Sequence, residues 1–137
     1  MIEQGKILLT DEHRLGMRMT KFPGGGLKLG EGTIDCLRRE FREELGMEIK
    51  DVSHFYTTDF FQEAHFITPP QQMLNIYYLC HLVGDVDVAL TSKPFDFFVE
   101  EEGAQVFRYK PLKELTPDEL TLPIDKVVIE KLKERFT

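Results

Sequence analysis

The sequence predicts an α/β fold in which a mixed sheet lies between helices on its two faces. Three observations carry that prediction. Elements alternate along the chain as strands, a helix, strands and a helix. The extended segments are rich in aromatic and β-branched residues, and the two longest helical segments each carry an apolar stripe at helical spacing. A length of 137 residues suits one compact domain, taken as residues 1–137, with a sizeable core.

Lys6 to Thr10 reads as a strand, and Leu15 to Phe22 as a second extended piece that ends at Pro23-Gly24-Gly25-Gly26. Three glycines after a proline cannot form a regular element; they make a tight loop that brings backbone close to something. Thr33 to Leu45 is the best helix. Thr33 is a candidate cap, Gly46 sits just past the end, and Ile34, Leu37, Phe41 and Leu45 make its apolar stripe. Val52 to Phe61 and Met73 to Val83 are strands that pair antiparallel across a Glu63–Gln72 loop. Asp87 to Thr91 is a weaker strand and Ala104 to Tyr109 the last. Thr116-Pro117-Asp118-Glu119 starts a short capped helix, which Pro123 interrupts. Ile124 to Phe136 then resumes as a helix with Ile124, Val127, Val128, Leu132 and Phe136 on one face.

Composition narrows the function. Cys36 and Cys80 are too few and too far apart for a disulfide framework or a zinc pattern, so both are expected as buried, reduced thiols. No apolar run is long enough to cross a bilayer, and the first residues lack the regions of a signal peptide; the expectation is a cytoplasmic protein. The formal net charge of −7 repels nucleic-acid backbones and anionic membranes, so neither is an expected partner. It also repels a phosphate-bearing small molecule unless cations intervene.

The Thr33–Leu45 helix offers a place for such cations. Glu40, Glu43 and Glu44 stand at i, i+3 and i+4 and project from one side, across about 100° of arc beside the apolar stripe. Like charges at that spacing cost a few tenths of a kcal/mol per pair, about what one good pair returns. Arg38, Arg39 and Arg42 offset part of it, and a divalent cation would offset more. With only oxygen ligands, Mg²⁺, Mn²⁺ or Ca²⁺ is favoured over zinc.

The flanking residues extend the pattern. Gly25 is followed by five residues and Glu31, then by seven residues and Arg39-Glu40-Phe41-Arg42-Glu43-Glu44-Leu45-Gly46-Met47. This resembles a complete Nudix box, with every fixed identity at its spacing and Phe41 as a bulkier apolar residue than usual. Phe22-Pro23-Gly24 before it, and Phe107 to Leu115 near the C-terminus, are similar to flanking segments of the family. The resemblance implies a Nudix-type α/β/α sandwich and a Mg²⁺-dependent hydrolase, with Mn²⁺ as a substitute. It implies Glu40, Glu43 and Glu44 as metal ligands with a carbonyl of Gly24 or Gly25. Arg39 would orient the glutamates and Glu31 would steady the loop. Glu40 is the first candidate for the general base, and Glu102, then Glu101, for an additional one. Gly25, Gly26, Arg18 and Lys21 would meet substrate phosphates. Phe60, Phe61, Tyr77 and Tyr78 are candidates to stack on a base, about half of them being core instead; His65, Phe66, Gln72 and Asn75 flank the intervening loop. The implied reaction is hydrolysis of a nucleoside diphosphate linked to another group, ADP-ribose-like or a nucleotide sugar by default. The alternative is a non-catalytic Nudix domain that senses a ligand. The family's usual first strand is short or absent here, and an unpaired sheet edge invites association, which leaves a homodimer open.

Overall fold

The computed structural model describes residues 1–64, 67–86 and 88–137. The central strand is β2 (Lys6–Arg14). One edge of it pairs with the two-residue strand β1 (Ile2–Glu3) and, further along, with β3 (Met17–Lys21). The first strand is therefore present, but short. Both hairpins turn through two residues at positive φ, Gln4-Gly5 and Leu15-Gly16, the geometry that matches the twist of the flanking strands. The other edge of β2 pairs antiparallel with β8 (Gln105–Pro111) from Lys6↔Pro111 to Glu12↔Gln105. A second pair, β4 (Ile49–Thr57) with β7 (Ile76–Leu82), is antiparallel as expected, and bulged between Lys50 and Ser53 and between His54 and Tyr56. The connecting segment is not plain loop. It carries a small ladder between β5 (Glu63–Ala64) and β6 (Gln71–Gln72). Of the weak strand expected at 87–91, Asp87 lies outside the described residues, and Leu90 makes one parallel bridge to Phe107.

Alternation along β2 sets the layers. Ile7 and Leu9 pack with Val128, Ile129 and Leu132 of the C-terminal helix α2 (Pro123–Phe136). Leu8 packs with Phe41 and Leu45 of α1 (Thr33–Leu45) and with Phe107 and Cys80. Successive β2 side chains thus meet different helices, which is the α/β/α sandwich. Both cysteines are buried and free.

Several boundaries differ from the sequence reading for physical reasons. Gly32, not Thr33, is the residue at the extended cap position of α1, and the Thr33 hydroxyl instead meets the Tyr78 hydroxyl at 2.6 Å. Ile34 is exposed, and Cys36 takes its place on the buried face. Gly46 closes the helix at φ 64°, with its N–H donating to the Arg42 carbonyl. Pro123 starts α2 rather than interrupting a helix, because the first position needs no N–H donor. What precedes it is a single 3-10 turn at Pro117–Glu119, where Glu119 accepts from the Thr116 backbone N–H at 3.0 Å. On α2, Phe136 is exposed, whereas Asp125 and Ile129 are buried.

Candidate active site

The glycine loop and the first turns of α1 meet around Arg39. Its guanidinium donates to both oxygens of Glu31, at 2.7 and 3.0 Å, to Glu40 at 2.8 Å, to Glu43 at 3.2 Å and to the Gly26 carbonyl at 3.0 Å. Glu31 also accepts from the Lys28 backbone N–H, which closes the loop. Those bonds, Arg39 foremost, hold the Glu31 carboxyl down at about 2. Arg39 and Glu31 thus tie the glycine loop to the first turns of α1.

The three helix carboxylates are not equivalent. The Glu40 side chain is 14% exposed and lies against the glycine loop; a Cβ at Gly25 would collide with its carboxylate. Only glycine allows that approach. Glu44 is half-buried, and burial raises its carboxyl pKa; the Gln105 amide acts against that rise, while Glu40 adds to it and Lys21 opposes it. Glu43 is more exposed, 54%, and is held by Arg39. Among the described residues, no three His, Cys, Asp or Glu side chains surround one point at the spacing of a metal site. The donors still fit a hard dication in kind. Glu40, Glu44 and the glycine-loop carbonyls offer oxygen only, and the missing Cβ of Gly25 lets the Glu40 carboxylate lie against the loop backbone.

Two further buried acids are ones that the sequence did not single out. The first is Glu12, whose side chain is 2% exposed on the face of β2 that also carries Leu8. It accepts from the Gln105 amide at 2.8 Å and pairs with Lys21 and Arg14, each at 3.2 Å. The second is Asp125. Its Oδ1 accepts from the Tyr77 hydroxyl at 2.6 Å, and its buried Oδ2 has no partner among the described residues. Burial raises its pKa to about 6. Asp125 lines a cavity of about 740 Å³ together with Phe22, Gly25, Asn75, Tyr77 and Tyr78. That volume lies within the range of small-molecule sites.

The other candidates fall at different places. Lys21 borders the cavity but is paired with Glu12. Arg18 donates to both oxygens of Glu100, at 2.6 and 2.7 Å, and lies over the Phe95 ring. Glu102 accepts from the Leu15 and Gly16 backbone N–H groups, at 2.8 and 3.4 Å, at the tip of the β2–β3 hairpin. Those bonds lower its pKa. Gln72, Asn75, Tyr77 and Tyr78 line the cavity, while Phe60 and Phe61 are exposed. His65 and Phe66 lie outside the described residues.

The glycine loop thus packs on the glutamate helix, is tied to it by Arg39, and lines the cavity. A family profile described as NUDIX domain matches residues 1–132, and the chain belongs to the Nudix hydrolases. An RNA pyrophosphohydrolase of Bartonella bacilliformis is 38% identical over 99 residues, 66% of this chain and 58% of that protein. The chain thus spans less than two thirds of that relative's length. A solved structure from a study of MutT of Aliivibrio salmonicida and Vibrio cholerae superposes with a TM-score of 0.57 at 16% identity. The match covers 97% of this chain and 89% of that one, a likeness of fold. Members of the family generally use divalent metal ions. Among the described residues, no helix is long and apolar enough to cross a membrane.

Proposed function

We propose that this chain hydrolyses a phosphoanhydride bond in a small nucleotide, with a nucleoside diphosphate linked to a second group as the substrate class. One observation carries the reading. The glycine loop lines the cavity that also contains Asp125, together with Thr33, Cys36, Leu37 and Phe41 of α1, and the Glu40 carboxylate lies against that loop at Gly25. Phosphates held at the loop would leave room in the cavity for the base or sugar, where the free Oδ2 of Asp125, the Asn75 amide and the Tyr77 and Tyr78 rings supply polar and stacking contacts.

Glu40, Glu43 and Glu44, with a carbonyl of Gly24 or Gly25, would hold Mg²⁺ or Mn²⁺. A bound dication supplies charge neutralisation at the phosphoryl oxygens and lowers the pKa of the attacking water. Arg39 keeps Glu40 and Glu43 aimed by charge-assisted hydrogen bonds, and Gly25 and Gly26 admit the phosphates to the backbone. Glu40 takes the proton from the attacking water. Glu102, already engaged by the hairpin tip, is the weaker candidate for that task.

A second reading has one observation in its favour, the name of the Bartonella relative. It is a pyrophosphate-bearing RNA 5′ end, and the chain's net charge of −7 argues against it. The test is a panel of ADP-ribose, nucleotide sugars and 5′-triphosphorylated RNA with Mg²⁺ or Mn²⁺, products being identified by mass. Cleavage of a nucleoside diphosphate derivative into two monophosphates supports the first reading, and release of pyrophosphate from RNA alone supports the second. Binding without cleavage throughout would leave a ligand sensor instead.

A further inference from the structure

The cavity of about 740 Å³ has aromatic side chains in its wall, Phe22, Tyr77 and Tyr78 among them, and also a carboxyl group, that of Asp125. A buried carboxylate needs hydrogen-bond donors for both of its oxygens. Oδ1 of Asp125 has one, the Tyr77 hydroxyl at 2.6 Å, whereas the buried Oδ2 has none among the described residues. At pH 8 the group is charged, because its pKa of about 6 lies well below that. The wall therefore holds an acceptor whose second donor has to come from elsewhere.

The neighbouring bonds fix the polarity of this wall. The Tyr77 hydroxyl has one hydrogen, and Asp125 takes it. The Tyr77 oxygen is left to accept, and it does so from the Asn75 side-chain amide at 3.3 Å. That bond sets which end of the Asn75 amide faces Tyr77. Asn75 is held in turn through its backbone, whose N–H donates to the Thr58 hydroxyl at 2.9 Å and whose carbonyl accepts from the Thr58 N–H at 2.9 Å. The relay from Asn75 through Tyr77 to Asp125 thus runs one way and ends in an acceptor. A ligand suits this end of the cavity by donating. Among the common bases, guanine offers two N–H donors side by side, at N1 and at its 2-amino group. Adenine and cytosine set a ring-nitrogen acceptor beside their amino group, and uracil flanks its one N–H with two carbonyls. Each of these brings a lone pair up to the carboxylate, which is a repulsive mark against it.

We propose that Asp125 determines base specificity: its carboxylate accepts the N1 and 2-amino hydrogens of a guanine base seated in the cavity, so that the substrate is a guanosine diphosphate linked to a second group. Tyr77 and Asn75 are positioning residues in this scheme, since they hold the carboxylate as an acceptor. The inference rests on phosphates sitting at the glycine loop, and the experiment separates the two readings.

GMP, IMP, AMP and UMP are titrated calorimetrically at pH 8 with Mg²⁺ into the full chain, as wild type and Asp125→Asn, with the thermal midpoint of each protein recorded. None of the four has a phosphoanhydride to cleave, so binding is read without turnover. IMP differs from GMP by the 2-amino group alone. The expected result is GMP bound at least about tenfold more tightly than the other three by wild type. Asp125→Asn puts a donor and an acceptor where there were two acceptors, and should move the GMP-to-AMP affinity ratio at least about tenfold toward AMP. Equal binding of the four, binding of none, or preference for another base would overturn the proposal, as would a wild-type ratio in a folded Asp125→Asn protein. Mg²⁺-dependent cleavage of GDP-, ADP- and UDP-sugars with equal kcat/KM would overturn it too and leave the hydrolase reading standing. A GMP preference in a chain that cleaves none of them would do the reverse.

Discussion

Asp11 and Glu12 are consecutive residues of β2, both buried, and they end in opposite situations. Asp11 faces the α2 side. It receives Arg108 at 2.7 and 3.3 Å, the Thr20 hydroxyl at 2.7 Å and the Phe95 backbone N–H at 3.1 Å. Its acceptor sites are filled, and Arg108 is itself only 5% exposed. Among the described residues no hydrogen bond leads from this cluster to the glycine loop, and it is an ion pair that ties β2, β3 and β8 together. Glu12 faces the α1 side, where its cations are less enclosed: Lys21 is 23% exposed and Arg14 59%. Its remaining bond is from the Gln105 amide of β8. The same sheet register thus builds a closed lock on one face and a more open ion pair on the other.

Substitutions can separate the two. The largest effect on stability is expected from Asp11→Ala, which strands the Arg108 charge in a dry site and costs about 3–5 kcal/mol. Urea denaturation measures it, and the folded fraction should keep wild-type Mn²⁺ affinity. Weaker Mn²⁺ binding there would mean that both faces serve the site and would erase the contrast.

Asp125 gives a pH-dependent effect of about 1–3 kcal/mol. Its folded pKa of about 6 lies above the 3.8 of an ordinary aspartate, because burial outweighs the help from the Tyr77 hydroxyl, the Phe22 backbone and Lys21. A raised carboxyl pKa means that the folded chain holds the proton more tightly. Its contribution to stability is therefore full below about pH 4 and lost as pH climbs through 6. Asp125→Asn should melt higher than wild type at pH 8, and the gap should close toward pH 4. A gap that is constant with pH would show that the carboxyl titrates normally.

The smallest loss of stability is expected from Glu12→Gln, about 1–2 kcal/mol, because Lys21 and Arg14 can turn to water. A stability loss as large as that of Asp11→Ala would make Glu12 a second lock.

The box helix was legible because its signals are local. The apolar stripe, the closing Gly46 and the spacing from Gly25 to Glu44 all lie in one stretch of chain, and α1 has the predicted bounds. Glu12 and Asp125 were not legible because what makes them special is remote in sequence. The sequence reading ends the first strand at Thr10. In fact β2 continues to Arg14, because Lys21 and Gln105 arrive from two other strands to neutralise and bond Glu12. Asp125 reads as an ordinary first-turn acid, and only the fold brings Tyr77 to it and walls it off from solvent. Arg18 and Lys21 show the converse. Sequence position put both on the approach to the glycine loop, whereas their charges are spent on Glu100 and Glu12. The short capped segment at Thr116–Glu119 and the helix after Pro123 are legible from local propensity, and only their bounds and faces differ.

The account depends on the Glu40–Glu44 helix acting with a divalent cation on a phosphoanhydride. The most direct measurement is turnover of ADP-ribose and nucleotide sugars by wild type and Glu40→Gln, with Mg²⁺ and with chelator, alongside the thermal midpoint of each protein. The account predicts two monophosphate products from at least one of these substrates, none with chelator, and at least about a hundredfold loss in a Glu40→Gln protein that remains folded. Turnover that persists in chelator, or is undiminished in Glu40→Gln, would contradict it.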